Sequence, residues 1–155
     1  LLYCYPERIT DELISEFKTN PKLVKYLDMP VQHASDRILR AMGRKSRKEE
    51  LTSLISRLRL EIPDLILRTS LIAGFPGETE EDFQTLCGFI QENPFDRLGV
   101  FAYSREEGTP AARMKNQVPE EIKQDRRNRL LEDCTASSRA ISVSCSSVAV
   151  RAARH

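Results

Sequence analysis

The sequence predicts an α/β fold with parallel strands. Two mostly apolar runs, residues 65–75 and 97–103, have the composition of strands buried in a sheet. Helical segments with capping residues separate the strand-like runs, and each connection is long enough to return the next strand parallel to the last. The expected order is β-α-β-α-α-β-α-β-α. Because four strands do not close a barrel alone, the pattern fits an open doubly wound sheet or part of a barrel.

Caps and stops define the elements of the first half. The chain opens in a strand-like run, residues 1–5, and Thr10 then caps a helix that Pro21 ends. Residues 25–32 have the apolar content of a second strand. Ser35 follows as the cap of a short helix that closes at a glycine. The first half therefore alternates strand and helix.

The second half begins with the strongest helix signal in the chain. Residues 46–49 form a capping-box pattern, and apolar residues follow at helical spacing until Pro63. Thr79 caps the helix after the third strand, and the Asn-Pro pair at 93–94 ends it. A strongly charged helix is expected over residues 120–132. Its apolar stripe is thin and consists of Ile122, Leu130 and Leu131.

Composition divides the chain into two parts. Residues 1–132 are predicted to form one domain, a partial barrel or sheet with a real core. Residues 133–155 are rich in Ser, Ala and Arg, which predicts a frayed helix or a disordered end. The first residue is Leu, and the chain opens directly in a strand-like run, which suggests a segment of a longer protein.

Charge and cysteine usage narrow the functional classes. The 24 Lys and Arg residues nearly balance the 23 Asp and Glu residues, so no strong nucleic-acid signal appears in the total charge. No apolar run reaches the roughly 18–20 residues needed to span a membrane, and a cytoplasmic protein is expected. No metal site is expected from this chain alone, because its cysteines lack ligand spacing; they are Cys4, Cys87, Cys134 and Cys145.

The segment LIAGFPGETEEDF, residues 71–83, has the general form of a phosphate-binding turn before a helix. Such turns bind anions through free N–H groups and the helix dipole. Pro76 lacks that donor, no P-loop lysine or GxGxxG spacing is present, and acidic side chains follow at Glu78, Glu80, Glu81 and Asp82. We therefore reject a phosphate site. Gly74 and Gly77 are expected to allow close approach of a neighbour or ligand, with a plain capped turn as an equal alternative.

Polar side chains gather where the strands are expected to end, which is where parallel α/β sheets bind ligands. Gln32 and His33 follow the second strand. Tyr103, Ser104 and Glu106 follow the last one. A lone histidine is more often structural than functional, but the convergence of these groups indicates a site at this rim.

Arg68 is unusual in so apolar a strand. By period two it shares a face with Ser70 and Ile72. A charged side chain there needs an anionic partner. Asp28 of the preceding strand and an anionic group of a ligand are equal alternatives for that partner.

Three segments of the chain resemble one enzyme family. They are KYLDMPVQHASDRILRAMGR, RTSLIAGFPGETEEDF and FDRLGVFAYSREEGTPAARM. In order and spacing they are similar to the radical S-adenosylmethionine (SAM) methylthiotransferases, over about residues 1–132. Within that family they most resemble the RimO branch, which methylthiolates an aspartate of a small-subunit ribosomal protein. The tRNA-modifying MiaB branch is similar around the glycine-rich segment but usually differs in the other two.

The resemblance implies the second half of a radical SAM partial (β/α) barrel with parallel strands, and it implies the site residues. Gln32 and His33 would lie near the ribose or methionine part of SAM. Arg68 and Ser70 would face the cofactor or the substrate inside the barrel. The residues near the adenine would be Ala73, Gly74, Phe75, Pro76, Gly77, Phe101 and Tyr103.

The resemblance also implies cofactors and a partner. The cofactors are SAM and 4Fe-4S clusters, and the partner is the ribosomal protein, from whose aspartate β-carbon a 5′-deoxyadenosyl radical abstracts hydrogen before sulfur and methyl are attached. The CxxxCxxC motif and the N-terminal cysteines that hold the family's clusters are absent from this sequence, as is the C-terminal TRAM domain. This chain alone is therefore expected to be inactive without a missing N-terminal cluster-binding region.

Alternatives to the RimO-like fragment remain open. The chain fits a non-catalytic remnant that keeps the barrel half and weak SAM affinity, or a fragment of the MiaB type. A phosphate-ligand α/β domain rests only on the glycine-rich turn. Truncation, a frameshift or a fragmented gene would each explain the divergent tail.

Overall fold

Three parallel strands form the sheet of this protein, described here by a computed structural model of residues 1–137. They are β1 (Tyr26–Asp28), β2 (Ile66–Ala73) and β3 (Arg97–Ala102), in the spatial order β1-β2-β3. Asp28 lies opposite Arg68, and Arg68 lies opposite Arg97. The predicted parallel α/β class is confirmed.

The prediction of a strand at the start of the chain, residues 1–5, was wrong, because no regular strand forms there. The amine of Leu1 donates to Tyr26 O at 2.7 Å, and Asp28 N donates to Leu1 O at 3.0 Å, so the segment does contact the edge of β1. Tyr3 then takes a φ of 56°, and a 3₁₀ turn follows at Pro6–Arg8. Because a left-handed residue interrupts extended backbone, the contact does not grow into a strand.

The second predicted strand, residues 25–32, is shorter than expected. β1 ends at Asp28, because Pro30 has no N–H group to continue the ladder. The chain returns to β2 at Gln32, whose N–H donates to Ser70 O at 2.9 Å and whose φ is 69°. The predicted strand is thus a short strand followed by an isolated bridge between Gln32 and Leu71.

Two helices begin at threonine caps that the sequence predicts. Thr10 Oγ1 accepts from Leu13 N at 3.3 Å, and Thr79 Oγ1 accepts from Asp82 N at 3.3 Å. Ser35 also precedes a helix as predicted, but its hydroxyl donates to Asp82 Oδ1 and does not cap that helix. The α-helices of the described residues are α1 (Asp11–Thr19), α2 (Asp36–Ala41), α3 (Lys48–Glu61), α4 (Glu80–Glu92) and α5 (Glu120–Ser137).

The capping box predicted at residues 46–49 lies one residue later. Arg47 is the N-cap of α3, and its N–H donates to Glu50 Oε2 at 2.9 Å. Ser46 instead donates its hydroxyl to Glu7 Oε1 at 2.7 Å. The adjacent acidic residues Glu49 and Glu50 allow either register, and the tertiary contact of Ser46 selects the later one.

The two faces of the sheet differ as the alternation in β2 predicts. The helices cover one face, where the core residues are at most 4% exposed: Leu27, Leu67, Leu71 and Val100. We call the other side the open face, and its residues are Asp28, Arg68, Ser70, Ile72, Arg97, Gly99 and Phe101. On the open face Arg68, Ser70 and Phe101 are half-buried, whereas Asp28 and Ile72 are buried.

Helix α5 continues to Ser137, past the predicted end at residue 132. Within it, Leu130 is fully buried, whereas Ile122 is 42% exposed and does not belong to the predicted apolar stripe. The rest of the predicted tail, residues 138–155, lies outside the described residues, and the domain division stays a prediction. Among residues 1–137, the structure contains no helix with the length and apolar character to cross a membrane.

Candidate functional site

The C-terminal ends of β2 and β3 and the segment after β1 form one rim. Gln32 bridges to Leu71, and Tyr103 N donates to Ala73 O at 2.8 Å. The predicted site residues lie along this rim or on the open face: Gln32, His33, Arg68, Ser70, Gly74, Phe75, Pro76, Gly77, Phe101 and Tyr103.

Arg68 pairs with Asp28 on the open face. Its Nη1 donates to Asp28 Oδ1 at 2.7 Å, and the two side chains are 25% and 3% exposed, respectively. The protein partner that the sequence suggested therefore exists. A quarter of the arginine side chain still faces solvent, so the pairing leaves room for a ligand.

Gly99 leaves space beside this ion pair. A Cβ atom at Gly99 would lie 3.5 Å from Arg68 Nη2 and 3.2 Å from Phe101 Cε2. The guanidinium and the Phe101 ring thus both lie close to bare backbone of β3. A glycine within a strand often indicates that another group packs closely on the backbone, but the sequence does not identify that group.

His33 lies fully inside the protein, with no exposed surface. Its Nδ1 accepts from the N–H groups of Ala34 and Ser35, both at 2.9 Å. The ring proton of the neutral imidazole therefore sits on Nε2, which lies 3.3 Å from Glu78 Oε2. Both ring nitrogens face protein groups, which favours a structural role for His33 behind the rim.

The turn after β2 contains its own anion. The N–H groups of Gly74 and Phe75 donate to Glu78 Oε2 at 2.9 and 3.3 Å. The next N–H groups, of Gly77, Glu78 and Thr79, donate to Asn116 O, Phe75 O and Asp82 Oδ2. The Glu78 carboxylate occupies the place that a phosphate takes in an anion-binding turn, which agrees with the rejection of a phosphate site.

The close neighbour of Gly74 is helix α5. Gly74 has a φ of 75°, and a Cβ atom there would lie 2.9 Å from Lys123 Cβ and 3.2 Å from Lys123 Cα. The tight approach expected at this glycine therefore serves helix packing. Gly77, with a φ of 85°, has more room, because the nearest atom to a Cβ there is Arg37 Nη1 at 3.8 Å.

Helix α5 docks on this turn largely through charged side chains. Arg126 Nη1 donates to Glu78 Oε1 at 2.9 Å, with the side chains 7% and 0% exposed. Arg129 Nη2 lies 2.8 Å from Glu80 Oε1. The guanidinium carbons of Arg126 and Arg129 lie 5.5 and 4.5 Å from the centre of the Phe83 ring. The acidic residues Glu78 and Glu80, which would repel a phosphate, therefore form ion pairs with α5.

An apolar cluster borders the rim; its members are Ile38, Ile72, Phe75 and Tyr103. The rings of Phe75 and Tyr103 meet edge to face, with centroids 5.4 Å apart. Burial raises the pKa of the Tyr103 phenol above its usual value. The structure therefore brings together two aromatic residues that were predicted to lie near the adenine.

Asp82 connects α2 to the start of α4. Its carboxylate accepts from the Ser35 hydroxyl at 2.6 Å, from the Thr79 N–H at 2.9 Å and from the guanidinium of Arg37. Burial by itself would raise the pKa of Asp82, but these hydrogen bonds outweigh burial and hold the pKa well below its usual value of 3.8. The ionised form of Asp82 therefore stabilises the fold.

Replacing Asp82 by Asn should flatten the acid limb of the stability profile. Because the folded-state pKa is lowered, the stabilisation is complete above the unfolded pKa and is lost as the pH falls through the folded value. The variant should be less stable than the wild type at pH 7, and the gap should narrow as the pH falls towards 2. Urea unfolding of both proteins between pH 7 and pH 2 measures the free energy of unfolding. If that free energy falls with pH as steeply in the variant as in the wild type, Asp82 does not have this role.

The sequence analysis did not predict that three residues shape the rim: Glu78, Gly99 and Arg126. A signal existed for one of them, since Lys123, Arg126 and Arg129 recur every three residues along α5 and follow an acidic segment. Nothing local identified Glu78 as the acceptor for the turn.

Metal ligands are not grouped in the described part of the chain. Among residues 1–137, no set of three or more His, Cys, Asp or Glu side chains is arranged to hold a metal ion. The Cys4 side chain is half-buried, and the Cys87 side chain is buried. Cys145 lies outside the described residues, and the side chain of Cys134 lies outside the described side chains, so the expectation that they bind no metal stays a prediction.

Known proteins provide close relatives of this chain. The ribosomal protein uS12 methylthiotransferase RimO of Geobacter sulfurreducens is 60% identical over 132 residues, which cover 85% of this chain and 30% of the relative. The protein of the same name from Acetivibrio thermocellus is 57% identical over 132 residues, covering 85% of this chain and 29% of the relative. The chain thus spans about three tenths of the length of these curated relatives.

Solved structures share the fold. The radical SAM enzyme coproporphyrinogen III oxidase (HemN) of Escherichia coli matches with a TM-score of 0.73 and 24% identity, over 87% of this chain and 31% of that chain. Elp3 of the archaeon Methanocaldococcus infernus, with an N-terminal deletion, matches with a TM-score of 0.68 and 16% identity, over 92% and 34%. The family model of the radical SAM superfamily matches residues 2–90, more than half of the chain, and the chain therefore belongs to this superfamily.

Proposed function

We propose that this chain forms the second half of the barrel of a methylthiotransferase that adds a methylthio group to an aspartate β-carbon in a small-subunit ribosomal protein. The observation that carries the proposal is the identity to uS12 methylthiotransferases over 85% of the chain. Because the chain matches only about three tenths of those proteins, the full activity is proposed for a protein that also contains the remainder.

The open face and the rim have the chemistry to hold SAM. Arg68 is a partly exposed cation on the open face, where Ser70 and Phe101 are half-buried, and Gln32 is half-buried at the rim. We assign contacts with the cofactor or the substrate to these four residues. Phe75, Pro76 and Tyr103 offer an apolar border suited to a flat adenine, with Gly74 and Gly77 shaping their turn and His33 supporting it from behind.

The chain's own share of the reaction is binding and orientation. If bound, SAM and a reduced iron–sulfur cluster would supply the radical chemistry. The described residues do not fit such a cluster, because they contain no grouped ligands, so its ligands are proposed to lie in the matching remainder of a longer protein. Arg68 would neutralise a carboxylate of the ligand, and the apolar cluster would exclude water from the base.

A chimera tests the proposal. The aligned 132-residue segment of this chain replaces its counterpart in Geobacter RimO, in a bacterium that lacks its own enzyme. Mass spectrometry should then detect a methylthio group on the aspartate of uS12. A chimera that binds iron and SAM like its parent but leaves uS12 unmodified contradicts the assigned substrate. Modified tRNA in its place indicates the MiaB type of activity.

Within the chimera, Arg68→Lys separates binding of a ligand from support of Asp28. Lysine keeps a positive charge near Asp28 but loses the planar set of donors, so the melting temperature should change little. SAM affinity should fall at least about tenfold, since a charged hydrogen bond contributes about 1.5–3 kcal/mol. Equilibrium dialysis with labelled SAM and thermal unfolding measure the two effects.

Arg57→Lys is the matched control, because Arg57 also pairs with an aspartate, Asp11, but lies on α3 and not on the open face. It should change neither the SAM affinity nor the melting temperature. If Arg68→Lys binds SAM like the unchanged chimera, Arg68 serves only as the partner of Asp28, and its assignment to the ligand is wrong.

A further inference from the structure

We propose that Arg126 of α5 is a positioning residue for the rim: acting through Glu78, it holds the turn of residues 74–79 in shape. The effect of Arg126 on SAM binding rests on the proposed function. Its effect on the shape of the turn does not, because the contacts involved lie within the chain. Arg126 does not lie on the open face and belongs to none of the predicted site residues.

Glu78 is the link between the helix and the turn. One oxygen of its carboxylate, Oε2, accepts from the N–H groups of Gly74 and Phe75. The other oxygen, Oε1, accepts from Arg126 at 2.9 Å. A buried carboxylate is stable only when it is paired and hydrogen-bonded, so the two sets of contacts depend on each other.

Arg126 is itself held in place. Its Nη1 also lies 3.2 Å from the Glu78 carbonyl oxygen, and its Nη2 lies 3.3 Å from Glu80 Oε2. Its guanidinium carbon is 5.5 Å from the centre of the buried Phe83 ring. These contacts come from both the turn and α4, which makes the guanidinium a fixed point for Glu78.

Lys123 restrains the turn from another direction. Its side-chain stem packs against Gly74, and its Nζ lies 5.6 Å from the centre of the Tyr103 ring. The Phe75 ring packs edge to face on that same Tyr103 ring. Loss of the Arg126 contact would therefore weaken the hold of Glu78 on the Gly74 and Phe75 N–H groups and shift the aromatic border of the rim.

Hydrogen exchange of the unliganded chain tests this role. In Arg126→Met, the amides of Gly74 and Phe75 should exchange at least about tenfold faster relative to the amide of Ile62 in the α3–β2 connection. Their shared acceptor, the Glu78 carboxylate, remains but loses its buried positive partner, so it is held less firmly against both N–H groups. Ile62 N donates to Leu58 O at 2.9 Å, distant in sequence from the turn, and it reports general opening. Arg126→Lys keeps the positive charge, so the exchange rates should increase less than in Arg126→Met. This variant replaces Arg126→Met in the test if the methionine variant does not fold.

Arg129→Met is the matched control. Arg129 stacks on the same Phe83 ring and pairs with Glu80, but no contact joins it to Glu78. The relative exchange of Gly74 and Phe75 should change less than about threefold in this variant, as expected for a partly exposed ion pair. Unchanged protection of both amides in Arg126→Met and in Arg126→Lys overturns the proposal.

The consequence for SAM is measured in the chimera. Arg126→Met should weaken SAM binding at least about tenfold at a temperature where the chimera stays folded, and Arg129→Met should not. Retained SAM affinity in Arg126→Met, alongside fast exchange at the turn, overturns the link to the rim. An unsubstituted chimera that binds no SAM contradicts the proposed function instead, while the exchange comparison still decides the role of Arg126.

Discussion

Replacing Gly74 with alanine is expected to lower the free energy of unfolding by about 2–5 kcal/mol. The φ of 75° costs a residue with a side chain about 1–2 kcal/mol. The added Cβ atom would also overlap Lys123 Cγ and lie 2.9 Å from Lys123 Cβ, and overpacking of this kind costs about 1–3 kcal/mol. Urea unfolding of the chain measures the sum.

Gly43→Ala separates the two contributions. Gly43 has nearly the same φ, 74°, but nothing lies within 4 Å of a Cβ atom built there. Its replacement should cost only the conformational term of about 1–2 kcal/mol. Equal losses at Gly43 and Gly74 would show that α5 does not pack against the turn.

Replacing Glu78 with glutamine is expected to cost about 3–5 kcal/mol, because it removes one member of a buried ion pair and leaves Arg126 with only the exposed carboxylate of Glu80 as an anionic partner. The glutamine keeps the size of the side chain, so the loss reports charge and hydrogen bonding rather than a cavity. Urea unfolding at pH 7 provides the measurement.

Glu81→Gln is the control for this substitution. Glu81 lies three residues away in the same acidic segment and is exposed, so its replacement should stay within about 0.5 kcal/mol. A double-mutant cycle of Glu78→Gln and Arg126→Met should show a coupling energy of about 1 kcal/mol or more. Additive losses would mean that the two side chains do not act as a pair.

The periodicity of the sequence is enough to assign residues to the two faces of the sheet. Alternation in β2 assigned Arg68 and Ser70 to one face and Leu67 and Leu71 to the other, because side chains along a strand alternate whatever surrounds them. The caps at Thr10 and Thr79 were equally predictable, since a cap bonds within its own first turn.

Predictions that depended on distant contacts were less accurate. The capping box at α3 shifted by one residue because Ser46 bonds to Glu7 from another part of the chain. The segment at residues 1–5 has strand composition, but Tyr3 leaves the extended region and the segment contacts only the edge of β1. Composition cannot report such choices, because they follow from neighbours in space.

Local pattern and motif are enough to predict the α/β class, the two faces of the sheet, the rim and the resemblance that leads to the radical SAM superfamily. The role of the acidic turn, in contrast, depends on contacts between distant parts of the chain. Glu78 and Arg126 are 48 residues apart, and their pairing makes the turn a docking site for α5. The physical reason is that a buried charge is satisfied by whichever partner the fold brings to it, and sequence spacing does not encode that distance.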